Sequence, residues 1–365
     1  LLELFHGPTL AFKDVAMQLI GQLFEVSLRR SGRRITIVGA TSGDTGSAAI
    51  EAFRGREGVE IFILYPDGRV SEVQRRQMTT PPDANVHALA IDGDFDDAQA
   101  RVKDMFNDHA FRDAVGLAGV NSINWARVLA QAVYYFTAAV ALGAPERRVS
   151  FTVPTGNFGD VFAGYVAKRM GLPIERLVIA TNQNDILHRT LETGAHLKQG
   201  VAASISPSMD IQVSSNFERL LFELLDRDGP AVATLMSELG ASGGFTLSPG
   251  VLARLRAEFD SARVSEDETQ ATIAAVLAET GEVICPHTAV GVRAARARRG
   301  DPAVPMVTLA TAHAAKFPDA VEAACGVRPA LPPRLADLFD RPERAVHVPN
   351  DLGTIEALLS REVVA

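Results

Sequence analysis

Ile35-Thr36-Ile37-Val38-Gly39-Ala40-Thr41-Ser42-Gly43-Asp44-Thr45-Gly46-Ser47-Ala48-Ala49-Ile50-Glu51-Ala52-Phe53 is the stretch on which the reading of the fold turns. Ile35 to Val38 is short, β-branched and bounded by glycine, the pattern of a buried strand. A loop rich in glycine and hydroxyls follows, and then a helical segment from Ala48 to Phe53. Glycine admits positive φ and close backbone approach, and the free N–H groups at the start of a helix point at negative charge. The loop therefore has the design of an anion cradle, with Thr41, Ser42 and Thr45 as further hydroxyl donors.

Outward from this unit the same pattern repeats. Val59 to Tyr65, Val86 to Ala90, Val149 to Val153, Leu177 to Ala180 and Val304 to Leu309 read as strands, with helical patterns between most of them. That alternation predicts parallel α/β architecture. Apolar residues at Ala16, Leu19, Ile20, Leu23 and Phe24 predict one core-facing helix face, and Trp125, Val128, Leu129, Ala132, Val133 and Phe136 predict another. From about 217 to 263 the pattern is mainly helical with a glycine-rich break, which reads as an insertion. A chain of 365 residues outgrows a single core. The expected organisation is a first α/β lobe over 1–145, a second over 146–330 carrying the insertion, and a proline-rich surface tail over 331–365.

A second strand-to-helix loop, Thr155-Gly156-Asn157-Phe158-Gly159-Asp160, lies between Val149–Val153 and the helical Val161 to Met170. Such turns also arise for packing alone, but a pair of them points to two anionic groups. Neither ends in the Gly-Lys-Ser/Thr that a nucleoside-triphosphate loop needs. Lys13 follows the apolar Leu10, Ala11 and Phe12 at a helix start. Lysines are mostly solvated, yet one desolvated there would be a nucleophile able to form a Schiff base with an aldehyde cofactor. In Asn121-Ser122-Ile123-Asn124-Trp125-Ala126-Arg127, Arg127 has the fork for phosphate; a helix cap plus a surface ion pair is the other reading. His287 and His313 lack ligand-spaced partners, so structural roles are expected and no metal site is assigned.

Apolar residues make up 47% and charged residues 22%, ordinary for a globular protein. A net charge of -8 without a long basic run argues against nucleic-acid and anionic-membrane partners and for a small molecule. Cys285 and Cys325 are too few for a disulfide framework, so a cytoplasmic location is expected. The chain opens without Met on the apolar Leu1-Leu2-Glu3-Leu4-Phe5, and a leading segment is expected before it.

Glu3-Leu4-Phe5-His6-Gly7-Pro8-Thr9-Leu10-Ala11-Phe12-Lys13-Asp14 resembles the lysine-bearing signature of threonine synthases. The resemblance continues, in family order, at Ala40–Gly46, Gly156–Asp160, Pro286–Gly291 and Thr311–Phe317, and the insertion resembles the fungal and bacterial branch. It implies the two-lobed, three-layer tryptophan-synthase-β-like fold, fold type II of pyridoxal-phosphate enzymes. It implies pyridoxal 5'-phosphate held as a Schiff base on Lys13, its phosphate on Gly156, Asn157, Phe158, Gly159 and Asp160, and its pyridine nitrogen on Thr311. Thr41, Ser42, Gly43, Asp44 and Thr45 then serve the substrate, with Asp44 near the ring hydroxyl, and Asn121, Asn124 and Arg127 join them.

The implied reaction converts O-phospho-L-homoserine and water to L-threonine and phosphate. A threonine-synthase-like phospho-lyase giving 2-oxobutyrate is the nearest rival. A non-catalytic ligand-binding homologue and a nucleotide-binding protein on the same layers rank below it, since Lys13 and both loops are present. Departures from the family pattern are Cys285, where relatives often carry an acidic residue, and Ala314, where proline is common.

Overall fold

The computed structural model describes residues 1–364, and the chain forms two compact units. One comprises Phe5–Asn124 and the chain from Ala330 onward; the other comprises Leu1–Leu4 and Trp125–Pro329.

The first unit is built on a 5-stranded parallel sheet in the order Val346–Val348, Val86–Ile91, Val59–Pro66, Ile35–Ala40, Leu117–Gly119. Val38, Phe62, Leu64, Leu89 and Ile91 of the strands pack with Ala98, Met105, Ile355 and Leu359 of helices Phe95–Asn107 and Leu352–Val364. Residues 331–365 were expected to form a surface tail. They instead supply an edge strand and a core helix, because Val348, Ile355 and Leu359 have apolar surface to bury once the prolines have turned the chain.

The second unit has its own 5-stranded parallel sheet, in the order Leu2–Glu3, Met306–Ala310, Val149–Pro154, Ile174–Thr181, Phe259–Arg263. Its boundary falls before Trp125 rather than after 145, since helix Trp125–Ala141 packs on helix Gly159–Arg169. The region expected to be a helical insertion contains helices Phe217–Leu224, Gly229–Ser242 and Pro249–Glu258. It also contributes Gly244–Thr246, paired antiparallel with Ala195–Leu197, and it ends in a sheet strand that its polar sequence concealed.

Helix faces differ from expectation in an instructive way. Ala16 and Ile20 of helix Lys13–Ser31 are buried as expected, but Leu19 and Leu23 are exposed, and Met17 and Gly21 complete the inward face instead. A Cβ on Gly21 would stand 2.5 Å from the Ala52 carbonyl oxygen, so small residues choose the face that meets helix Asp44–Phe53. On helix Trp125–Ala141, Trp125, Leu129 and Val133 are about half exposed at 48%, 51% and 57%, whereas Arg127, Val128, Gln131, Tyr134 and Tyr135 face inward. Buried polar partners, described below, draw that face in.

Candidate active site

In the first unit the chain folds back on itself before helix Lys13–Ser31. Thr9 donates to the Asp14 carboxylate through its N–H at 2.9 Å and its hydroxyl at 2.6 Å, and Gln77 Nε2 donates to the Thr9 carbonyl at 3.1 Å. These bonds hold a turn in which Leu10 takes a φ of 64°. Lys13 is thereby fixed as the first residue of the helix and is only 9% exposed. Its Nζ lies 4.6 Å from the centre of the Phe12 ring and 3.7 Å from Asp44 Oδ2. The desolvated lysine expected from its apolar neighbours is present.

Asp44 opens helix Asp44–Phe53, directly after the first glycine loop. Its second oxygen, Oδ1, accepts from Gln74 Nε2 at 2.9 Å. Gln74 is itself locked by the capping box of helix Glu72–Thr79: its Oε1 accepts the Ser71 N–H at 3.1 Å while Ser71 Oγ accepts the Gln74 N–H at 3.2 Å. Gly43, at a φ of 128°, packs on that side chain, and a Cβ there would stand 2.3 Å from Gln74 Cδ. Thr41 Oγ1 accepts from the Gly43 and Gly46 N–H groups at 2.9 and 2.8 Å and braces the loop from within. Asp44, grouped with the substrate loop on sequence, is therefore the ionic partner of Lys13.

In the second unit the other loop joins strand Val149–Pro154 to helix Gly159–Arg169. Thr155 N–H donates to the Ala180 carbonyl at 2.8 Å, and Asn216 donates to the Asn157 carbonyl from its backbone at 3.0 Å and its side chain at 2.9 Å. Gly156 is walled by backbone: a Cβ would meet the Ser208 carbonyl oxygen at 2.6 Å. Phe158 sits at a φ of 64°, a conformation costing a bulky residue roughly 1–2 kcal/mol. Its ring is buried against Phe217 and Phe259, with centroids at 5.3 and 5.6 Å, and that burial offsets the strain. Strands Met306–Ala310 and Val149–Pro154 are parallel neighbours with Thr308 opposite Thr152, so Thr311 and Thr155 leave the sheet side by side. Both glycine loops thus lie at the carboxyl ends of parallel strands and at helix N-termini, where ligands of such sheets bind.

Asp160 departs from expectation. Its Oδ1 lies 2.5 Å from the Tyr134 hydroxyl and 3.0 Å from that of Tyr135, so the side chain is held in the interior. Only its backbone N–H, at the helix start, remains suited to an anion. Burial, reinforced by the Asp160 charge, pushes both phenols well above their ordinary range. Arg127 is 4% exposed, which excludes the surface ion pair. Burial lowers its pKa to about 10 against the pull of Tyr134 and Asp160, and its Nη1 has no hydrogen-bond partner among the described residues. Asn121 and Asn124 shape the turn ahead of that helix: Asn121 Oδ1 accepts the Ile123 N–H at 3.2 Å and its carbonyl accepts the Asn124 N–H at 3.4 Å.

Sequence reasoning missed Gln74, Ser208, Asn216 and the tyrosine pair. The Ser71-x-x-Gln74 spacing was a readable capping signal; the others carried none, because their roles depend on contacts distant in sequence. Among the described residues, no cluster of three or more metal-binding side chains occurs and no helix is long and apolar enough to cross a membrane.

Each unit by itself offers a group suited to pyridoxal phosphate: the first a buried primary amine beside a carboxylate, suited to an aldehyde, and the second a backbone-walled glycine loop at a helix N-terminus, suited to a phosphate. Comparisons with known proteins agree. The family described as Pyridoxal-phosphate dependent enzyme matches residues 2–238, and that described as Threonine synthase, C-terminal matches residues 288–359. The chain is 56% identical over 361 residues to threonine synthase of Pseudomonas aeruginosa, covering 99% of this chain and 77% of that one. Against threonine synthase of Saccharomyces cerevisiae it is 47% identical over 348 residues, covering 88% and 68%. The crystal structure of PLP-bound threonine synthase from Brucella melitensis matches with a TM-score of 0.96 at 62% identity, covering 100% of this chain and 78% of that one.

Proposed function

The chain belongs to the threonine synthase family of pyridoxal-phosphate-dependent enzymes, and from that premise we propose how its own residues convert O-phospho-L-homoserine and water to L-threonine and phosphate. The observation that carries the proposal is the buried Lys13 amine, 3.7 Å from Asp44 and oriented by the Thr9–Asp14 turn.

When bound, pyridoxal phosphate supplies an electron sink for charge at the substrate α carbon. Lys13 would hold the cofactor covalently, and its Nζ, once free, would take the α proton and carry protons onward as general base and acid. Asp44 stabilises the protonated amine and is kept in place by Gln74. Gly156, Asn157, Phe158, Gly159 and the Asp160 N–H receive the cofactor phosphate, and the Thr311 hydroxyl meets its pyridine nitrogen. Ser42, Gly43 and Thr45 serve the substrate together with Asn121 and Asn124. Arg127, with its buried Nη1 open, is the candidate partner for substrate phosphate. Loss of a β proton expels phosphate from the γ carbon; a proton then returns to the γ carbon, the hydroxyl of water adds at the β carbon, and a proton returns to the α carbon. A cytoplasmic location is proposed with this activity, since buried Cys285 acts as a thiol, its Sγ accepting the Thr288 N–H at 3.4 Å.

Phosphate, threonine and 2-oxobutyrate released from O-phospho-L-homoserine by the purified enzyme test the proposal. Threonine equal to phosphate is expected; 2-oxobutyrate equal to phosphate would replace this reading with the elimination reaction.

A further inference from the structure

His287, read from the sequence as structural, occupies the first turn of helix Pro286–Arg298 and is 3% exposed. Its ring lies against Phe317, with centroids 4.8 Å apart. Nε2 is 3.2 Å from the Ser208 nitrogen and accepts that N–H, which requires Nε2 to be unprotonated. Ser208 is the residue whose carbonyl oxygen stands 2.6 Å from the position of a Cβ on Gly156. The short turn Pro207–Met209 that carries it is tied down on its far side as well. There the Asp210 carboxylate accepts from Asn182, Asn184 and Ser204 side chains at 2.7, 2.8 and 2.6 Å.

We propose that His287 is a positioning residue for the phosphate cradle: by accepting the Ser208 N–H it sets the wall that packs on Gly156 and so holds the loop's N–H groups in place for a phosphate. The inference rests on residues 156–160 being the cofactor-phosphate cradle. Its consequence is selective, because a wall around Gly156 matters to a ligand with phosphate and not to the same aldehyde without one.

The test compares equilibrium binding of pyridoxal phosphate and of pyridoxal to the cofactor-stripped enzyme, followed by visible absorbance. His287→Leu should weaken pyridoxal phosphate about tenfold and leave pyridoxal unchanged. His287→Gln, whose amide oxygen supplies an acceptor near the Nε2 position, should restore most of the loss. Should the leucine variant not fold, His287→Asn, with a shorter side chain, makes the same comparison. Equal weakening of both ligands, or none of either, overturns the proposal. Gly156→Ala separates this from the underlying reading. If it leaves the preference for the phosphorylated ligand intact, the cradle assignment fails; if it abolishes that preference while the His287 variants keep it, the positioning role alone fails.

Discussion

The lysine site of the first unit and the glycine loop of the second share one plan, a parallel strand running through a glycine-rich segment to a helix N-terminus, yet they are held by different means. Around Lys13 the work falls to side chains: Asp14 grips Thr9, Asp44 faces the amine, and Gln74 aims Asp44. Around Gly156 it falls to backbone: the Ser208 carbonyl is the wall, Asn157 is held by its own carbonyl, and Phe158 is fixed in the left-handed region. Groups that move protons must be side chains with adjustable charge, whereas a permanently anionic ligand is better met by fixed dipoles that need no ionisation. The difference predicts that substitutions at the first site lower turnover and those at the second lower cofactor affinity or stability.

The strongest way to break this comparison is Lys13→Ala, expected to abolish covalent attachment of the cofactor and lower turnover at least about a thousandfold while leaving thermal stability near that of the parent. Asp160→Ala should do the reverse. It strands the buried Tyr134 hydroxyl, while Tyr135 keeps its 2.9 Å bond to the backbone carbonyl of residue 160, and it removes the charge facing Arg127, costing about 3 kcal/mol in denaturant unfolding. Acid sharpens the contrast further. His196, buried between the Phe217 and Phe245 rings with Nδ1 at 2.8 Å from Thr190 Oγ1, has its pKa lowered by burial to about 4. Its unfolded form binds a proton more readily than its folded form. The neutral ring therefore favours the fold fully above its unfolded pKa near 6.5, and the advantage is lost as pH falls through about 4. The loss amounts to about 3 kcal/mol, and His196→Phe should flatten that part of the stability profile. The smallest effect expected is that of Asp44→Asn, which keeps an acceptor for Gln74 but removes the charge beside Lys13. Turnover should fall about tenfold, with a displaced pH profile and little change in cofactor affinity.

Strands written in β-branched residues were legible to within a few positions, as Ile35–Ala40 and Val149–Pro154 show. Leu2–Glu3, Leu117–Gly119 and Val346–Val348 were not, because two or three residues carry no periodicity and become strands only when a neighbour pairs with them. Helix faces were misjudged where glycine or polar residues faced inward, at Gly21 and at Arg127 and Gln131, since hydrophobicity alone does not reveal close helix contacts or buried polar partners. At the site, Lys13 and Asp44 were proposed from the sequence for the chemistry they carry, and the structure sets them 3.7 Å apart. Residues that place others, Gln74 and Ser208, act across about 30 and 50 positions of sequence and emerge only with the fold.

The central claim is that Lys13 is the cofactor's covalent anchor. Its most direct test is borohydride reduction of the purified enzyme, monitored by absorbance and followed by peptide mass mapping. Loss of a visible band with a reduced pyridoxyl adduct on the peptide carrying Lys13 is the predicted result. An adduct confined to another lysine, or no band after addition of pyridoxal phosphate, would contradict it.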